Sequence, residues 1–127
     1  MNVTEGDLVQ RYWKRVGGQL IEEFKAVEGG ENNGRRHIDG VIIKNKETER
    51  LGSYMTAPLE GEDVIVVQCK KRRLGMYLMG QAYFSMHLIE RYNPSSVKSV
   101  ALCPGTDGVL GPIFESLPNC EVVEMDF

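Results

Sequence analysis

The sequence predicts an α/β domain with one mixed central sheet and helices on both sides. Three observations predict it. The run VIVVQC, residues 64–69, is the unbroken, β-branched stretch expected of a strand buried on both faces. Two stretches, one near the N-terminus and one after that run, repeat their apolar residues at spacings of three and four, as helices do. The length, 127 residues, suits one core, so residues 1–127 are read as a single domain.

The elements follow in order. In TEGDLVQRYWKRV, residues 4–16, Leu8, Tyr12, Trp13 and Val16 recur at helical spacing, and Thr4 followed by Asp7 is a capping arrangement. Gly17 and Gly18 end that helix. QLIEEFKAV, residues 19–27, reads as a strand with helix as the alternative; Leu20, Glu22, Phe24 and Ala26 share one parity, and Ile21, Glu23, Lys25 and Val27 the other. The turn-rich EGGENNG leads into RRHIDGVIIK, residues 35–44, a second strand that pairs back as a hairpin. NKETERLGSYMTAPLEGED, residues 45–63, is polar and broken by glycine and proline, hence an exposed excursion. The buried run is the third strand. MYLMGQAYFSMHLIERYNP, residues 76–94, is a helix carrying Leu78, Ala82, Met86 and Ile89, ended by Asn93 and Pro94. VKSVALC, GPIFESL and CEVVEMDF read as a strand, a short helical turn and a last strand. The order is αβββαβ with an αβ addition.

A hydrophobic fraction of 42% and a charged fraction of 26% are those of a globular protein, and no apolar run approaches the roughly 20 residues of a membrane span. The N-terminus MNVTEGDLVQ carries an early acid and lacks a basic-then-apolar leader, so an intracellular, cytoplasmic protein with reduced thiols is expected. Cys69, Cys103 and Cys120 are odd in number and far apart, with only His37 and His87 to assist them. A structural zinc is disfavoured, and buried inert thiols are the expectation. The net charge of −3 argues against indiscriminate binding to nucleic acid, yet four cations stand together at residues 70–73.

That basic run begins where the buried strand ends. With a strand period of two, Gln68 and Lys70 share a face while Cys69 turns to the other. Asp39 is the acid within the otherwise apolar HIDGVII, so if these two strands are neighbours the three polar groups converge. Asp39's carboxylate, Gln68's amide oxygen and Cys69's main-chain carbonyl are oxygen donors of the kind Mg²⁺ takes. Lys70 would stand beside a metal-bound water, and the cations after it would hold a polyanion. Each residue also has an ordinary reading. Asp39-Gly40 suits a turn, Gln68 and Lys70 a solvated strand end, and residues 70–73 a solvated corner.

On these residues the chain resembles the PD-(D/E)XK, or restriction-endonuclease-like, nuclease superfamily, whose αβββαβ core carries an acid on one strand and an acid-any-lysine triplet on the next. The likeness covers most of the chain and implies that Asp39 is the strand aspartate, Gln68 holds the position of the triplet's acid, and Lys70 is the catalytic lysine. It implies a helix glutamate as well, for which Glu5 is the choice and Glu22 or Glu23 the alternatives, and an assisting glutamine, Gln81. In layout the chain is most similar to small Holliday-junction-resolvase-like nucleases. Gln68 departs from the usual glutamate, removing one negative charge, and Ile38 stands where proline is common. Some restriction-like subfamilies carry that glutamine.

The resemblance implies a Mg²⁺-dependent endonuclease acting on DNA, with Mn²⁺ able to substitute. Asp39, Gln68, Cys69 and Glu5 would surround the metal, and Arg35, Arg36, His37, Lys71, Arg72 and Arg73 would contact nucleic acid. A homodimer or a partner protein would supply specificity, since one domain leaves no room for a separate reading module. The alternatives are an inactive nucleic-acid-binding or assembly module, favoured by Gln68, and an interaction protein with no nucleic-acid role.

Overall fold

Thr4 opens the first helix, α1 (Glu5–Val16): its hydroxyl accepts from the Asp7 N–H at 3.0 Å, and the Asp7 carboxylate accepts from the Thr4 N–H at 2.9 Å. Two orphan donors are thus satisfied at once. Leu8, Val9 and Tyr12 form the helix's buried face, while Val16, expected with them, is 44% exposed. Trp13 is half-buried and donates its indole N–H to the Gly18 carbonyl at 2.7 Å.

The computed structural model describes residues 2–126. After α1 come β1 (Gln19–Val27), β2 (Arg36–Ile43), β3 (Glu49–Ser53), β4 (Asp63–Cys69), α2 (Met76–Glu90), β5 (Ser96–Cys103), α3 (Leu110–Glu115) and β6 (Cys120–Glu124). The six strands make one mixed sheet in the order β3-β1-β2-β4-β5-β6. β1 and β2 form the expected antiparallel hairpin, β2 and β4 are antiparallel, and β4, β5 and β6 run parallel. The fold is α/β, as the sequence predicts.

Each sheet face is apolar and each is covered. Leu8, Val9 and Tyr12 of α1 pack on Leu20, Ile42, Ile65, Val67, Val100 and Leu102. On the opposite face Leu78, Ala82, Met86 and Ile89 of α2, with Phe114 of α3, pack on Ile21, Phe24, Ile38, Val41, Val64 and Val66. Burial of this kind is favourable by ~25 cal/mol per Å² of apolar surface and dominates the gain on folding. Continuous burial of residues 64–69 follows from the central place of β4.

The polar excursion 45–63 is mostly exposed as expected, but it contains β3, which pairs parallel to the outer edge of β1. An edge strand with its side chains largely in water shows no burial period, so composition alone reads it as loop. Among the described residues no helix is long and apolar enough to cross a membrane.

Candidate active site where two strands part

The β2–β4 ladder runs from Ile43 opposite Val64 to Gly40 opposite Val67 and stops there. Side chains continue it. The Cys69 N–H donates to Asp39 Oδ2 at 2.8 Å, and the Asp39 N–H donates to Gln68 Oε1 at 3.4 Å, satisfying donors that the parting strands leave behind. Asp39-Gly40 is therefore part of a strand and not the turn that the dipeptide also suits. Gly40 has a different use: a Cβ there would lie 2.7 Å from Val9 Cγ1, so its absence lets α1 settle on the sheet beside Asp39.

Gln68 faces α2. Its amide NH₂ donates to Ser85 Oγ at 2.7 Å and the side chain is 5% exposed, which ties β4 to the helix. Cys69 turns to the opposite layer, as strand alternation predicts, and packs with Val67 and Leu102. Burial, followed by the charges of Glu5 and Asp39, pushes its thiol up to about 12. All three cysteines are buried and free.

The Asp39 carboxylate opens into a cleft of about 230 Å³ on the α1 side, lined also by Glu5, Glu22, Glu23, Ser53 and Tyr54. Glu5 reaches it from the first turn of α1 and accepts from the Lys71 N–H at 3.2 Å. The two β1 glutamates both line it, against the alternation that would send them to opposite faces. Glu23 has φ +47°, a left-handed conformation rare for a residue with a Cβ, and the strand changes parity at that point. Leu20 and Glu22 thus face α1, whereas Phe24 and Ala26, expected beside them, face α2 with Ile21. Glu22 accepts from Gln10 Nε2 at 2.9 Å and pairs with the Arg50 guanidinium, a partner supplied by the unforeseen β3.

This crowding has an electrostatic consequence. Burial raises the Asp39 pKa to about 6, with the charges of Glu23 and Glu5 adding to it against the Cys69 N–H and Lys70. Glu23 is also raised, by burial first and then by Glu22 and Glu5.

On the other side of the strand ends lie the cations. Lys70 Nζ stands 5.3 Å from the centre of the Tyr77 ring and, with Arg72 and Arg73, lines a pocket of about 220 Å³. Arg35, Arg36, His37, Gln68, Tyr77 and Gln81 line an adjoining groove of about 840 Å³ on α2. His37 stacks edge-on against Tyr54 at 5.6 Å between centroids. The structure thus brings Asp39 and Glu5 into one cleft and sets Gln68 and Gln81 together in another. Gln81, expected beside the carboxylates, is kept from their cleft because α2 covers the opposite face of the sheet.

The donor set of the acidic cleft suits a hard divalent cation. Its donors are oxygens, and two of its carboxyls are held above their usual range by burial and mutual repulsion, which a cation would relieve. Among the described residues no three His, Cys, Asp or Glu side chains already stand in a coordinating arrangement. In comparisons with known proteins the chain matches no family model, no curated protein and no solved structure.

Proposed function

We propose that this protein is a metal-dependent nuclease of the PD-(D/E)XK, restriction-endonuclease-like kind, hydrolysing phosphodiester bonds in DNA inside the cell. One observation carries the reading: Asp39 and the Gln68-Cys69-Lys70 triplet meet where β2 and β4 part, with Glu5 and Glu23 in the same cleft as Asp39. Asp39, Glu5 and Glu23 would hold Mg²⁺ or Mn²⁺, with the Cys69 carbonyl as a neutral donor. The ion would supply an acidified water and neutralise charge developing on the phosphate.

The chain's own groups do the rest. Lys70's ammonium orients the attacking water and stabilises the charge added to phosphorus. Arg35, Arg36, Lys71, Arg72 and Arg73 grip flanking phosphates. Cutting both strands of a duplex takes two such sites, which a homodimer would provide.

Gln68 favours a second reading. A neutral residue with both ends of its amide hydrogen-bonded at the acid's position suits a relative that retained nucleic-acid binding and lost catalysis. Incubation with branched, nicked and duplex DNA separates the two. Cleavage with Mg²⁺ or Mn²⁺ that stops in EDTA and in Asp39→Asn is the expected result; DNA binding with no cleavage of any substrate by the wild type would leave the second reading standing.

A further inference from the structure

The exposed face of α2 is unused by this chemistry. Tyr77 and Phe84 are 71% and 65% exposed, and Met76 beside them is 74% exposed. The two rings are seven positions apart, so they stand on one helix face about 10 Å apart along the axis. Between them is Gly80, where an added Cβ would meet nothing within 4 Å, so the surface between the rings is open. In the wall of the same groove the Gln81 Oε1 is buried with no hydrogen-bond partner among the described residues.

Charge indicates what this face receives. Arg35 and Arg36 line the groove, Lys70, Arg72 and Arg73 line the pocket that shares Tyr77 with it, and among the described residues lining either, none is acidic. This is the reverse of the chain as a whole, which has 18 acids against 15 lysines and arginines. Among the described residues, none of those five cations forms an ion pair within 4 Å. A second copy docked here across a two-fold axis would set this cluster against itself. An anionic polymer with flat apolar groups meets both the cations and the rings.

We propose that this face binds single-stranded DNA beside the cleavage site, with unpaired bases stacked on Tyr77 and Phe84 and phosphates held by Arg35, Arg36, Arg72 and Arg73. The proposal rests on the nuclease reading for its choice of DNA. It makes the substrate a duplex with an unpaired segment, such as a tail or flap. Aromatic rings hold bases without regard to sequence because every base has a π face. Gln68 in the groove and Lys70 in the adjoining pocket connect this surface to the parting strands.

Fluorescence anisotropy in EDTA tests it, using a blunt duplex, the same duplex with a thymine tail, and that duplex with the matching RNA tail. The wild type is expected to favour the DNA tail, and Tyr77→Ala with Phe84→Ala to lose about 10-fold or more on that ligand while binding to the blunt duplex is unchanged. A Tyr77→Trp, Phe84→Trp protein keeps the rings and should keep the tail preference. Equal loss on blunt and tailed duplex, no loss, or tighter binding to the RNA tail would overturn the proposal. So would a wild-type dimer that the alanine pair converts to monomer without touching tail binding, because the occupant would then be a second copy. Cleavage is read separately with Mg²⁺. Ring-dependent tail binding without cleavage sinks the nuclease reading alone; cleavage without tail preference sinks this proposal alone.

Discussion

The cleft on the α1 side of the strand ends gathers Glu5, Glu22, Glu23 and Asp39, whereas the surface on the α2 side gathers Arg35, Arg36, Lys70, Arg72 and Arg73 and, among the described residues lining it, no acid. Loose on an ordinary surface, such opposite charges would pair and screen one another. Here the sheet end stands between them, and the change of face from Gln68 to Cys69 marks the division. Glu22 is the acid drawn into an ion pair, and its partner Arg50 comes from β3 and not from the basic surface. Separation leaves the acids disposed toward a cation and the basic groups toward phosphate. A nuclease needs both within one substrate's reach.

The largest effect should come from Lys70, which lies beside both regions. Lys70→Ala is expected to lower cleavage by about 100-fold or more, the scale on which electrostatic stabilisers of a transition state act. Because Lys70 is not part of the core, the circular dichroism spectrum and the urea midpoint should stay as they are; wild-type cleavage rates in this variant would remove Lys70 from the chemistry.

Asp39 tests the acidic side. Its carboxyl is raised from 3.8 to about 6, so the folded protein holds that proton more tightly than the unfolded chain. Stability from this group is therefore greatest at low pH, falls as pH rises between those values, and stays reduced above about pH 6. In metal-free buffer Asp39→Asn should raise stability near pH 7 by on the order of 2 kcal/mol and leave it unchanged near pH 3. Urea titrations at the two pH values check this; a destabilised variant at neutral pH would mean that the Cys69 N–H bond outweighs burial.

A smaller change is expected at the tie between the strand and α2. Gln68→Ala deprives Ser85 Oγ and the Asp39 N–H of partners and should cost about 1–2 kcal/mol in urea denaturation. Gln68→Glu, which sets a buried carboxylate against Ser85, should lower metal-free stability near pH 7. Smallest of all, Arg35→Ala or Arg36→Ala should weaken DNA binding evenly across sequences and reduce the slope of log affinity against log salt by about 1 each. An unchanged slope would place those guanidiniums away from phosphate.

The sequence carried the elements whose burial has a period. Thr4 with Asp7 marked the start of α1, the β-branched run marked the central strand, and Leu78, Ala82, Met86 and Ile89 marked the covered face of α2. It carried the meeting of Asp39 with Gln68, because both lie on long strands. It did not carry β3, an exposed edge, nor the roles of Arg50 and Ser85, which depend on partners distant in the chain. Positive φ at Glu23 was invisible too, since no glycine marks it, and for that reason the choice between Glu22 and Glu23 stayed open when in the fold both line the cleft. Asp39-Gly40 looked like a turn pair because the close approach of Val9, which requires the glycine, is a tertiary contact.

Calorimetric titration of Mn²⁺ and then Mg²⁺ into the wild type and Asp39→Ala asks whether the acidic cleft holds a divalent cation through Asp39, Mn²⁺ being the more tolerant of a neutral donor in the set. Saturable heat is expected for the wild type and none for the variant. Equal heats in the two proteins, or none in either with DNA present, would mean that Asp39 holds no cation.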